Sequence, residues 1–118
     1  MAGVYGEIDS RVDYHRVLRE AADIARRILA RNPGNSTMQR IDKELDAMRR
    51  WTEGARDPSA SERTSIDVGL IAVRELAEAT GEVAELADKL SSLNNYFEDW
   101  PTDEQAANAT DDDFFDEE

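Results

Sequence analysis

The sequence predicts an all-α fold: a compact antiparallel bundle of about four helices over residues 1–100, followed by an acidic disordered tail over residues 101–118. Three observations carry this. Apolar residues recur at three- and four-residue steps through the body of the chain, the period of an amphipathic helix. No segment sustains the apolar/polar alternation of a strand, and β-branched residues are sparse. Helix-stopping signals divide the pattern at Asn32-Pro33-Gly34, at Arg56 to Ser61 and at Thr80-Gly81.

The first helix runs from about Ile8 or Ser10 to Arg31, with Tyr14, Val17, Leu18, Ala21, Ile24, Ala25 and Ile28 as its apolar stripe. Proline and glycine at 33 and 34 end it. Ser36 is the expected N-cap of the second helix, with Gln39 completing a capping box. Met38, Ile41, Leu45, Met48 and Trp51 form its seam. A second capping box, Ser59 with Glu62, opens a third helix expected from about Ala60 to Ala79. Its stripe is Ile66, Leu70, Val73 and Ala77, widened by Ile71 and Leu76. Gly69 inside that helix costs about 1 kcal/mol relative to alanine, and close approach of a neighbouring helix is the expected return. The fourth helix runs from about Glu82 to Phe97, with Val83, Leu86, Ala87, Leu90, Leu93 and Phe97 on one side.

The chain has 118 residues, with 14 basic and 27 acidic side chains and a formal net charge of −13. That length makes one small domain. Eight of the acidic residues and none of the basic ones fall in 101–118, so the body is only mildly acidic. A tail so charged, with Phe114 and Phe115 as its only large apolar groups, cannot offset its ordering entropy. It solubilises the chain or docks on a basic partner. Met1 to Gly6 is expected to fray. Cysteine is absent, which excludes disulfides, a thiolate nucleophile and thiolate zinc sites. No apolar run is long enough to span a bilayer, and Met1 to Ser10 lacks a signal pattern, so a cytoplasmic location is expected. The negative charge repels phosphate backbones and anionic lipids, which argues against nucleic-acid and membrane partners and for a basic one.

Catalytic signals are thin. His15 is the only histidine and there is no glycine-rich phosphate loop. Glu75, Glu78, Glu82, Glu85 and Asp88 recur at steps of three and four. The string Glu78 to Glu85 is similar to part of the all-α nucleotide pyrophosphohydrolases, whose paired carboxylates hold Mg²⁺. Only six residues separate the two acidic pairs, a short link for two facing helices, and a solvated acidic stripe is the plainer reading. Tyr96, Phe97 and Trp100 stand beside Glu98 and Asp99, a mixture suited to an interface or to a lid on the bundle.

Two segments resemble a known family. Ile28 to Gly34 leading into Ile41 to Met48 is one, and Gly69 to Leu76 is the other. Together they resemble the small all-helical immunity proteins of type VI secretion systems, and in particular the type that neutralises an NAD(P)⁺-glycohydrolase effector. The resemblance covers roughly Tyr14 to Phe97 and implies a non-enzyme with no metal or cofactor. It implies a protein that binds the toxin domain of its cognate effector, one to one, and occludes the active site. No inhibitory residue carries over from the family. The acidic stripe Glu75, Glu78, Glu82 and Glu85, together with Tyr96, Glu98, Asp99 and Trp100, is the expected contact set on chemical grounds. A Mg²⁺-dependent pyrophosphohydrolase and an acidic inhibitor of a nucleic-acid enzyme stay open as alternatives, and so does homodimerisation.

Overall fold

The structure, a computed structural model, describes residues 5–107. The fold is all-α, built from α1 (Arg11–Arg31), α2 (Ser36–Trp51), α3 (Ala60–Arg63), α4 (Val68–Glu75) and α5 (Gly81–Asp99), with a 3-10 turn at Glu53–Ala55. The hairpins α1/α2 and α4/α5 pack through α1 against α5 and α2 against α4.

α1 forms as its stripe requires. Ser10 caps it by accepting from the Asp13 N–H, and all seven stripe residues are buried. In α2 the cap is Asn35, whose side chain accepts from the Met38 N–H at 3.0 Å. Ser36 is not the cap, and Gln39 donates instead to the Pro33 carbonyl at 2.6 Å. Asn and Ser cap about equally well, so the Pro33-Gly34 turn decides between the neighbours. Met38, Ile41, Leu45 and Met48 are buried and Trp51 packs against the core.

The expected third helix is two helices. The Ser59/Glu62 capping box is present and opens α3. After Arg63, the Thr64 hydroxyl approaches the carbonyls of Ala60 and Ser61, and the Ser65 hydroxyl donates to that of Glu62. Such side chains compete with the helical ladder, and the chain restarts at Asp67. The restart changes which face is inward. Val68, Ile71 and Ala72 are buried, whereas Leu70 and Val73, placed in the expected core stripe, are exposed. Gly69 sits in the first turn of α4. A Cβ there would lie 2.9 Å from the Cβ of Asn94, and the Gly69 N–H donates to Asn94 Oδ1 at 3.0 Å. The close helix approach expected at this glycine is therefore present.

The core is richest in aromatics at one end. Tyr14 stacks on Tyr96 with centroids 5.4 Å apart and faces Phe97, while Trp100 meets Tyr14 and Tyr96 edge-on. The segment before α1 closes this end. Tyr5 and Ile8 are buried, and the Tyr5 hydroxyl donates to Asp99 Oδ2 at 2.8 Å. Gly6 (φ 59°) lies so close to Ser92 that a Cβ would clash. Residues 5 and 6 are thus packed where fraying was expected. The expected bundle boundary at 101 also moves. Residues 103–107 are helical, Ala106 is buried, and Asp103 Oδ1 accepts from the Arg11 N–H at 2.9 Å. The rest of the tail, with Phe114 and Phe115, lies outside the described residues.

Two carboxyl groups meet where α2 packs on α4. Glu44 accepts from the Asp67 N–H at 2.9 Å. Asp67 Oδ1 is buried without a hydrogen-bond partner, and Arg40 pairs with Asp67 Oδ2 at 2.6 Å. Protonation of Glu44 lessens the repulsion between the two carboxyl groups. Burial first, and then Asp67, push the Glu44 pKa up to about 7. The folded chain therefore holds this proton more tightly than the unfolded chain. The resulting stability is complete below the ordinary glutamate range and is lost as pH rises through about 7. Melting temperature is expected to fall by on the order of 5 °C between about pH 5.5 and about pH 8. Glu44→Gln should abolish the part of the fall that Glu44 causes. His15, held below its ordinary value, acts with the opposite sign but is common to both chains and cancels in the comparison.

Candidate partner-binding surfaces

The acidic run does not form one surface. The turn at residues 76–80 reverses the chain between α4 and α5, so Glu75 and Glu82 point to different neighbours. Glu75, at the end of α4, accepts from the Thr37 hydroxyl of α2 at 2.5 Å. Glu82 accepts from Arg27 at 2.9 Å and from Arg31 at 2.6 Å, clamping α5 to α1. Arg31 and then Arg27 hold its carboxyl below the usual range. Its charge is already matched within the fold. Glu78 is exposed. Glu85 is also exposed and lies 4.0 Å from Lys89, an ammonium nearly buried among Glu7, Glu20 and Glu85. Of the four, Glu78 and Glu85 are the most available to a partner. Among the described residues, no group of three or more His, Asp or Glu side chains is placed to hold a cation.

The aromatic end is tied into the fold more than its sequence suggests. Tyr96 is fully buried against Tyr14 and Tyr5, and its hydroxyl accepts from Arg11. As an expected contact residue it is corrected: its position on α5 faces the core. Trp100 is half-buried, with the Arg11 guanidinium 3.8 Å over its ring and its indole N–H donating to Asp57 at 2.9 Å. Its left-handed backbone (φ 42°) caps α5. The backbone carbonyls of Glu98 and Asp99 accept from Arg63, which leaves the Glu98 carboxylate exposed, while the Asp99 carboxylate accepts from Tyr5. His15 lies in a furrow of about 670 Å³ between α1 and α2, beside the Tyr14 ring. Among the described residues it has no hydrogen-bonded acid or nucleophile, so the furrow holds no Ser–His or His–carboxylate pair.

The exposed apolar residues are a feature that the sequence pattern placed elsewhere. Leu70 and Val73 open outward on α4, and Val73 borders the groove between α4 and α5. The signal that could have found them is the composition of Val68–Glu75, which is apolar on more than one face.

The described residues thus form a helical scaffold with exposed carboxylates and two exposed apolar side chains on α4. The family model of Tsi6 matches residues 13–99, from the first turn of α1 to the end of α5. The chain belongs to the Tsi6 family. Tsi6 is a type VI secretion immunity family, so the resemblance read from Ile28–Met48 and Gly69–Leu76 holds for the whole helical body. No curated protein and no solved structure gives a significant match. Among the described residues of this Tsi6-family chain, no helix is long and apolar enough to cross a membrane.

Proposed function

We propose that this Tsi6-family protein neutralises a cognate, cytosol-acting effector by binding its toxin domain one to one and covering the active site. The effector's chemistry is the hydrolysis of NAD(P)⁺ or a related use of nucleotides. The protein itself makes and breaks no bonds. The family match over residues 13–99 carries this reading. The charge of the chain supports it. A toxin that binds anionic nucleotides needs a positive cleft, and carboxylates complement such a cleft. Glu78 and Glu85 are the contact carboxylates this reading favours, while Glu75, Glu98, Asp99 and Trp100 are candidates each tested by its own substitution. The protein acts in the cytoplasm of the cell that produces the effector.

Co-expression with the toxin domain of a candidate cognate effector tests the reading: growth is restored with the chain and fails without it. A purified complex allows the charge to be tested. Reversing Glu78 and Glu85 together to lysine is expected to weaken binding about 10-fold at low salt and less at high salt, with helicity unchanged. Equal affinity at both salt concentrations would remove these two carboxylates from the interface.

A further inference from the structure

α4 is more apolar than its packing requires. Within Val68–Glu75 only Val68, Ile71 and Ala72 are buried. Leu70 and Val73 are 47% and 65% exposed, one helical turn apart on the outward side. A helix that is apolar on both faces is ordinarily covered on both. Beside Val73 the surface continues into a groove of about 310 Å³, lined by Leu76, Ala77, Ala84 and Ala87, with Asp88 as its one charged lining residue. Alanines keep this groove shallow-walled, so a partner's side chain can come close to both helices. Asp88 lines the groove, and the exposed Glu78 follows its lining residue Ala77 in the chain.

We propose that this α4/α5 face is the docking site for the effector's toxin domain. An apolar projection of the toxin seats on Leu70 and Val73 and enters the alanine groove, and lysine or arginine flanking that projection meets Asp88 and Glu78. The inference rests on the immunity reading above and assigns that reading a place. An apolar centre with a charged rim is how tight protein interfaces are built. A second copy of the chain fits less well, since it would set Asp88 and Glu78 against the same carboxylates of its partner. The failure of the expected stripe at Leu70 and Val73 has the same sense: local pattern and fold tend to disagree where a surface serves a partner.

The test is calorimetric titration of the purified toxin domain with the wild-type chain, with L70D/V73D and with L70S/V73S. The aspartate pair is expected to weaken binding by about 100-fold and the serine pair less, in the same direction. Circular dichroism should show unchanged helicity, since both side chains are exposed. If the aspartate pair disturbs the helix, the serine pair alone decides. Wild-type affinity in the variants would overturn the docking site while leaving the immunity reading in place. No binding by the wild-type chain would overturn the reading itself, and the site with it. Light scattering adds a further contrary result: a wild-type dimer split by L70D/V73D, with toxin affinity unchanged, would make this face a self-interface.

Discussion

Tyr96→Ala is expected to cost about 3–5 kcal/mol, a large share of the chain's stability. The ring is wholly buried, stacked on Tyr14 and met edge-on by Tyr5 and Trp100, and its hydroxyl accepts from Arg11. Truncation opens a cavity where α1, α5 and the segment before α1 converge. Arg11 also loses one partner at the point where it holds the Pro101 carbonyl and covers Trp100. Tyr96→Phe keeps the ring and loses only the hydroxyl, so its cost should be about 1–2 kcal/mol. Denaturant unfolding of both variants checks the pair. If Tyr96→Ala unfolds at the wild-type midpoint, the aromatic end is not the anchor that its packing describes.

Gly69→Val is expected to destabilise the chain by about 2–3 kcal/mol. A side chain at 69 would begin 2.9 Å from the Cβ of Asn94, a distance that requires α4 and α5 to move apart. Separation also breaks the hydrogen bond from the Gly69 N–H to Asn94 Oδ1. The better helix propensity of a side chain over glycine offsets less than about 1 kcal/mol of this. The Asn94→Gly background should reduce the cost of Gly69→Val, because the blocking atoms are gone. A double-mutant cycle read by thermal unfolding measures that coupling. Additive effects would mean that the two positions do not constrain each other.

The parts of the fold legible in the sequence are those where one strong stripe faces one way. Tyr14 to Ile28 and Met38 to Trp51 are such stripes, and both helices form with every named residue buried except Trp51, which packs partly buried against the core, and with Asn35 in place of Ser36 as the cap of α2. The region after Ser59 is different. Val68–Glu75 is apolar on more than one face, so periodicity alone could not choose the inward one. Thr64 and Ser65 settle it by turning their hydroxyls onto carbonyls and restarting the helix at a new register. The candidate contact residues suffered from the reverse problem. Steps of three and four run on through Glu75, Glu78, Glu82 and Glu85 as if on one helix, yet the 76–80 turn sends Glu82 back to Arg27 and Arg31 of α1. Tyr96 could not be recognised as core from its own helix, because part of what covers it, Tyr5, comes from a segment with no periodic signal. Glu44 and Asp67 lie far apart in sequence and give no local sign of meeting. The family, by contrast, is legible in Ile28–Met48 and Gly69–Leu76, and its model matches residues 13–99, well beyond both.

The proposed function has this chain cover the reactive cleft of another protein. The direct measurement is the rate at which a purified candidate toxin domain consumes NAD(P)⁺, titrated with the purified chain. The rate is predicted to fall in proportion to the chain added and to reach zero at one equivalent. An undiminished rate at several-fold excess, with no complex detected by gel filtration, would contradict the claim.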